Sequence, residues 1–403
     1  LNIAQQPVFT LLPNDRPDAS ALIVAQQLAQ QFAATAAERD YQGGTPKTER
    51  DAIRASGLLG MSIAKQYGGQ GANWQDTLLV VREFAKVDSS VAHVFAFHHL
   101  MLATVELFGL PEQWQPWHEN TTRLNWFWGN ALNPLDERTV CKSVGDWHEF
   151  SGQKSFCSGA LDSEMLVASA LRQSNGKLVV VAIPTGRSGI RVQQDWNNIG
   201  QRQTDSGSVQ FEKVRIENNE ILDNPGPLTT PRSCLRPLIA QLILTNIYLG
   251  IAEGAFNEAR HYTLHEAHPW HAAKVNHTFE DPYILSHYGE FLMGLESVRA
   301  LSDKAGLKLD QALARGEALT EIERGEVAKQ IAIAKVIASR VGLDLTCRMF
   351  EVTGARATHA GLRLDRHWRN LRTHTLHDPV DYKLKELGEW ALTQTYPTPT
   401  FYS

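Results

Sequence analysis

The hydrophobic period of this chain changes twice, and that limits what it can fold into. Up to about residue 125, and again from about 229 onward, apolar residues recur at helical spacing; between these parts they sit in short runs rich in β-branched residues. Leu22, Ala25, Leu28, Ala29 and Phe32 share one helical face, with Asp18 or Ser20 as its cap, and Leu78, Val81, Phe84 and Ala85 share another. Gly68, Gly69 and Gly71 make a tight loop between them. In the middle, "GDWHEFSGQKSF", "EMLVASAL", "GKLVVVAIP" and "SGSVQFEKVRI" read as strands, and Asn175-Gly176 between two of them is a hairpin signal. Ser208, Gln210 and Glu212 alternate with Val209 and Phe211, as on a half-buried strand. Beyond, Ile284, Tyr288, Phe291, Leu295, Val298 and Leu301 keep a 3.6 period after Asp281-Pro282, and Thr320 with Glu323 forms a capping box that opens another long helix. The expected fold is mainly α with a central β-domain: helices over 1–125, a small β-barrel or sandwich over 126–228, and an antiparallel helical bundle over 229–403.

Composition removes several functions. A net charge of −5 argues against a nucleic-acid binder. Cys141, Cys157, Cys234 and Cys347 are far apart and form no C-x-x-C pair, so neither a thiolate zinc site nor a disulfide framework is expected, and a reducing cytoplasm is the natural compartment. The stretch "LNIAQQPVFTLLPNDRPD" lacks the basic start and long apolar core of a signal peptide. The most apolar run, 237–256, is interrupted by Gln241, Thr245, Asn246 and Glu253, so it reads as a buried helix rather than a membrane span. There is no G-x-G-x-x-G after a strand and no Walker A loop, the usual devices for a nicotinamide dinucleotide or a nucleoside triphosphate.

The candidate chemistry gathers in "RTHTLHDPVDYK", where His374 and His377 precede Asp378-Pro379. Asp378 as N-cap and Pro379 as first helical residue would start a helix. His377 would then sit beside the positive end of that helix, which favours a neutral ring able to exchange a proton near pH 7. Spacing alone leaves a second reading open, a helix cap with a surface histidine. A zinc site would need further ligands, and none is in view. His261, His265 and His268 line one helical face and read as a solvated or subunit-facing stripe rather than a metal site.

Several segments carry a resemblance. "GLLGMSIAKQYGGQGANW" and "IGQRQTDSGSVQFEKVRI" resemble stretches of the acyl-CoA dehydrogenase superfamily, whose order of domains is the one read above. "VAHVFAFHHL", "FWGNAL", "FCSGA", "DWNNIGQRQTDSGS", "EDPY", "YGEF" and "RTHTLHDPVDYK" are similar to its reduced-flavin-dependent monooxygenases of sulfur metabolism. The resemblance implies a two-component enzyme. A separate NAD(P)H-dependent FMN reductase supplies reduced FMN, O2 adds to form a C4a-hydroperoxide, and one oxygen passes to a small organosulfur compound. It also implies a homotetramer. Where a dehydrogenase keeps its catalytic glutamate, this chain has "TLHDPV", which favours oxygenation over an FAD-dependent acyl-CoA dehydrogenation.

Residue by residue, the resemblance implies that His93 faces the flavin with Phe97 one turn away, where dibenzothiophene monooxygenases carry Tyr. Asn130 and Ser158 contact the isoalloxazine as donors. Trp196 packs at the flavin ring, and Trp128 either helps to exclude water or packs in the core. Arg202 holds an anionic substrate or pins its loop. Arg356 and His268 match phosphate contacts, one of them from a neighbouring subunit; the dibenzothiophene branch has Arg in place of His268. His377, supported by His374, acts in oxygen transfer. The segment from Asn130 to Leu135 is bulkier and stiffer than in the dibenzothiophene branch. A smaller substrate is therefore expected, a short alkanesulfinate such as methanesulfinate, with a dibenzothiophene-type sulfide as the alternative. The final "QTYPTPTFYS" suits a docked tail.

Overall fold

The computed structural model describes residues 19–403, so Asp18 and the reading of the first residues as lacking a leader lie outside it. Among the described residues six α-helices come first: α1 (Ala19–Ala33), α2 (Ala36–Gln42), α3 (Lys47–Ser56), α4 (Trp74–Val87), α5 (Ser89–Phe108) and α6 (Pro111–Leu124). Asn73 caps α4 by accepting from the Asp76 N–H at 2.8 Å. Asp88 caps α5 by accepting from the Ser90 and Val91 N–H groups at 3.0 Å each. Helix α5 is buried on nearly every side because it is packed on by α4 and α6, by the sheet and by the long helix that follows it. Its polar residues His93, His98 and His99 are thereby forced to find partners inside the protein.

The middle of the chain forms one seven-stranded mixed sheet: β1 (Trp128–Ala131), β2 (Val140–Val144), β3 (Trp147–Lys154), β4 (Met165–Arg172), β5 (Leu178–Pro184), β6 (Ile190–Val192) and β7 (Val209–Ile216). Asn175-Gly176 does lie in a hairpin loop, with Leu171 opposite Leu178 and β4 antiparallel to β5. Strands β1 and β2 lie in turn along the other edge of β4, both parallel to it. The unbroken apolar runs in β4 and β5 follow from burial of both faces. Leu166, Ala168, Val181 and Ile183 fill the sheet's own core, while Met165, Val167, Val180 and Ala182 join the core of the helices. At the β3–β7 bulge Gly152 takes φ +138°, and a Cβ there would stand 2.1 Å from the Arg138 carbonyl oxygen, so only glycine fits. Strands β1, β2 and β6 carry little of the alternation that marked the other four.

The chain then returns to helix: α7 (Leu235–His265), α8 (Pro282–Ala314), α9 (Glu321–Thr353), α10 (Asp365–His374) and α11 (Val380–Thr393). Asp281 caps α8 at 2.9 Å, with Pro282 as its first residue. The capping box of α9 is complete, with the Glu323 N–H on Thr320 Oγ1 at 3.2 Å and the Thr320 N–H on Glu323 Oε2 at 2.9 Å. Helices α5 and α7 are long and apolar enough to cross a membrane, but 89% and 100% of their apolar windows are buried against other parts of this protein. The helices before and after the sheet share one core, so the sheet is held against a single helical body.

Two expectations at this level are corrected. Asp378 does not cap a helix: α11 begins at Val380 with Pro379 in the cap position and no side-chain cap, and Asp378 turns inward to a buried lysine. His268 is not on a helical face with His261 and His265, because α7 ends at His265.

Candidate active site

A cavity of about 1060 Å³ opens where three parts of the fold meet. Helix α5 contributes His93 and Phe97, the sheet region contributes Asn130, Ser158, Trp196 and the loop ending in Ser206, and α10 with the turn after it contributes Arg372, His374 and His377. The volume lies at the top of the ~300–1,000 Å³ range of small-molecule sites.

The loop 199–206 is fixed from both sides. Gly200 lies against the backbone of α10, where a Cβ would meet the Arg369 carbonyl oxygen at 2.1 Å. Asn370 Oδ1 accepts from the Gln201 N–H at 2.6 Å, and Gln203 accepts from Arg39 Nη1 at 3.1 Å. The Gln201 carbonyl accepts from the Trp196 indole N–H at 2.7 Å and from the Thr204 hydroxyl at 3.0 Å, so the cavity's tryptophan is oriented by the same loop.

From that carbonyl a hydrogen-bonded chain runs into the site. Thr204 Oγ1 lies 2.7 Å from Ser206 Oγ, Ser206 Oγ 2.7 Å from Ser158 Oγ, Ser158 Oγ 2.9 Å from His93 Nε2, and His93 Nδ1 2.9 Å from His374 Nε2. The direction of the hydrogens follows from the two ends. His374 Nδ1 is buried with no partner among the described residues. A hydrogen there would be a stranded donor, costing about 1–3 kcal/mol, so the hydrogen sits on Nε2 and is donated to His93. His93 then carries its own hydrogen on Nε2 and donates to Ser158. At the other end Thr204 donates to the Gln201 carbonyl, Ser206 donates to Thr204, and Ser158 donates to Ser206. Ser158 receives one hydrogen and gives one, and the oxygen keeps a lone pair for the cavity, so it faces the site as an acceptor and not as the expected donor. Both rings are neutral: burial pushes the His93 imidazolium down to about 3, and burial with the nearby His93 holds His374 well below the usual histidine range.

His377 is wired differently. Its side chain is 37% exposed, and its Nδ1 donates to Asp378 Oδ1 at 2.9 Å. The same carboxylate takes the ammonium of Lys335, whose side chain is 2% exposed and which also bonds Gln241 Oε1. Burial alone would raise the Asp378 carboxyl; the His377 hydrogen bond and the Lys335 charge outweigh it and hold the group well below the usual carboxylate range. Burial lowers Lys335 to about 8, against the pull of Asp378. The carboxylate therefore fixes His377 with its hydrogen on Nδ1 and leaves Nε2 as the exchanging atom. Tyr402 faces His377 with ring centroids 5.8 Å apart. The segment that carries it packs back as expected for a docked tail, through Arg324 on the Pro397 and Ser403 carbonyls and Lys383 on the Tyr402 carbonyl.

Three family models match the chain: acyl-CoA dehydrogenase N-terminal domain over 21–123, middle domain over 132–214 and C-terminal domain over 242–382. A protein of Pseudomonas putida named "probable FMNH2-dependent monooxygenase SfnC" is 64% identical over 97% of this chain and 99% of its own. A solved structure of methanesulfinate monooxygenase MsuC from Pseudomonas fluorescens is 67% identical, covers 95% of this chain and 100% of its own, and superposes with a TM-score of 0.95. The complex of TdsC from Paenibacillus sp. A11-2 with FMN and indole is 41% identical over 95% and 100%, with a TM-score of 0.92. This chain belongs to the reduced-flavin-dependent monooxygenases of the acyl-CoA dehydrogenase family.

The residues that family resemblance singles out fall into two groups. His93, Phe97, Asn130, Ser158, Trp196, His374 and His377 all line the one cavity. Phe97 stacks on His93 at 4.0 Å. Asn130 Oδ1 accepts from the Leu132 N–H at 3.1 Å, which leaves its NH2 free to donate. The other four lie elsewhere. Trp128 is a core residue, 1% exposed, with its indole N–H on Thr121 Oγ1 at 2.8 Å and its backbone N–H on His98 Nδ1 at 3.1 Å. Arg202 pins its loop, donating to the Asp40 carbonyl at 2.6 Å and the Tyr41 carbonyl at 3.3 Å. His268 and Arg356 are exposed in this chain and do not line the cavity. Sequence reasoning missed Thr204, Ser206 and Lys335. The two hydroxyls stood in a motif already singled out, "QTDSGS"; Lys335 gave no signal, because it lies on α9, 43 residues from Asp378.

Proposed function

We propose that this protein is the oxygenating component of a two-component system that takes reduced FMN from a separate NAD(P)H-dependent reductase and oxidises a small alkanesulfinate, methanesulfinate to methanesulfonate in the simplest case. The observation that carries the reading is the meeting, in one cavity, of a dry neutral histidine pair with a third histidine open to solvent.

The residues fit a flavin. Trp196 and Phe97 offer flat apolar faces, the Asn130 amide offers a donor, and Ser158 offers a lone pair, as a ring with both polar edges and an apolar face requires. When bound, reduced FMN activates O2 and supplies the oxygen atom that is transferred. The chain's own residues then have three tasks. His93 and His374 stay neutral, so neither ring is an acid that could leak a proton to the reacting atoms. His377, held by Asp378, gives or takes a proton at Nε2 and exchanges it with solvent. The wall 132–136 limits the substrate: Lys154 donates to the Asn133 carbonyl at 3.0 Å and to that of Asp136, so Leu132 and Pro134 are held in place. A fixed wall suits a one-carbon sulfinate better than a three-ring thiophene, and the likeness to methanesulfinate monooxygenase supports the same choice.

His268 and Arg356 fit the reading if copies of the chain associate, so that these exposed side chains of one copy reach the flavin phosphate of another. Tyr283, Leu285 and Met293, which are exposed along α8, support a homotetramer of this kind. The test is coupled turnover with FMN, a reductase and NADH. Methanesulfinate should be consumed and dibenzothiophene left untouched; the reverse result would remove the substrate assignment.

A further inference from the structure

The hydroxyl chain behind Ser158 has a consequence for which flavin the cavity takes. A reduced isoalloxazine carries an N–H at N5; the oxidised ring carries a bare lone pair at the same atom. Ser158 meets the cavity with a lone pair, because its hydrogen is committed to Ser206, whose hydrogen is committed to Thr204, whose hydrogen is committed to the Gln201 carbonyl. We propose that Thr204 and Ser206 act as positioning residues that make the cavity select reduced over oxidised FMN, by holding Ser158 as a hydrogen-bond acceptor. The proposal rests on the reading of Ser158 as a flavin contact.

Both ends of the hydroxyl chain are fixed. His93 cannot relieve Ser158 of its acceptor role. For His93 to accept from Ser158, its hydrogen would move to Nδ1, His374 would have to accept there, and the His374 hydrogen would be stranded on a buried Nδ1 with no partner. Otherwise Ser158 turns its hydrogen into the cavity only by leaving one 2.7 Å oxygen–oxygen contact of the chain without a hydrogen, or by drawing Thr204 off the Gln201 carbonyl. That carbonyl sits on a residue tied at its own N–H to Asn370 and at its side chain to Ser89 Oγ at 3.0 Å, so it cannot follow. Thr204 is 1% exposed, and the Ser206 hydroxyl, 6% exposed, has Thr204 at 2.7 Å to take its hydrogen. An oxidised ring thus faces two lone pairs across one contact, or binds at the expense of one hydrogen bond of the chain. One such bond corresponds to a preference of roughly five- to tenfold. The device suits an enzyme that must admit a reduced cofactor from solution and release the oxidised one after turnover.

Two measurements decide it. The first uses the flavin-free protein and ¹⁵N–¹H NMR of the imidazoles. His93 and His374 should both appear as Nε2–H tautomers; an Nδ1–H tautomer on His93 overturns the chain's direction. The second is anaerobic titration with reduced FMN and, separately, oxidised FMN. The wild type should favour the reduced form. In Thr204→Val, Ser206 keeps only Ser158 as an acceptor, Ser158 turns its hydrogen into the cavity, and the preference should shift by about tenfold towards oxidised FMN. Thr204→Ser keeps the hydroxyl and should restore the wild-type ratio. An unchanged ratio in Thr204→Val overturns the proposal. Ser158→Ala separates the two possible failures. If it leaves the affinities for both forms unaltered, Ser158 is not a flavin contact and the underlying reading falls with the proposal. If it alters them while Thr204→Val does not, only the chain's role falls.

Discussion

Replacing Asp378 by Asn tests the wiring of His377 and separates its structural part from its chemical part. The carboxylate holds two groups at once, the His377 Nδ1–H and the Lys335 ammonium. The substitution takes the contacting carboxylate from an ammonium whose side chain is only 2% exposed, which typically costs about 3–5 kcal/mol of stability. It also replaces a charged acceptor of the histidine by a neutral one. A hydrogen bond to a charged group is worth about 1.5–3 kcal/mol, so kcat for oxygen transfer should fall roughly ten- to a hundredfold. Adding Lys335→Met removes the stranded cation, so the double variant should recover most of the lost stability while its turnover stays low. The assays are thermal unfolding by circular dichroism and product formation with reductase in excess, at a temperature where every variant is folded. A kcat within about twofold of wild type in folded Asp378→Asn, or full turnover in the double variant, would refute the view that Asp378 orients His377.

Other outcomes follow from the same geometry. His377→Ala should abolish oxygen transfer while flavin titration and melting temperature change little, because the ring is partly exposed and held through one hydrogen bond. Trp128→Phe removes an indole bond inside the core and should cost about 1 kcal/mol in unfolding while leaving KM for the sulfur substrate unaltered. Burial pushes His93 and His98 down to about 3 and His118 to about 4, whereas in the unfolded chain each titrates near ~6.5. Below that pH the unfolded state binds protons that the native state refuses, so stability is whole above about 6.5 and falls as pH drops towards 3–4, by about 1.4 kcal/mol per pH unit for each histidine. Melting temperature against pH checks this; a flat profile from 7 to 5 would contradict it.

The sequence showed the order of domains because period changes are local and strong. It showed β3, β4, β5 and β7 for the same reason, and it left β1, β2 and β6 unmarked, since three to five residues give too little alternation to register. The histidines of the site were legible through resemblance. Their wiring was not, because it is made by tertiary contacts: His93 and His374 are 281 residues apart, and Lys335 reaches Asp378 from another helix. The Asp378-Pro379 pair had the local chemistry of a helix start, yet the carboxylate is used inward. A buried ammonium bound by a full charge outweighs a cap worth about 1 kcal/mol. Trp128 stands two residues before Asn130, a spacing that puts both on one face of a strand, yet all four residues of β1 are buried and the Trp128 indole is taken by Thr121 in the core.

The central claim is that this chain passes one atom of O2 to the sulfur of a small sulfinate. Turnover of methanesulfinate under ¹⁸O2, with FMN, NADH and a flavin reductase, followed by mass spectrometry of the product, tests it most directly. The account predicts methanesulfonate carrying one labelled oxygen, formed only when all components are present and lost in His377→Ala. Unlabelled methanesulfonate, or NADH consumption with no sulfonate formed, would contradict it.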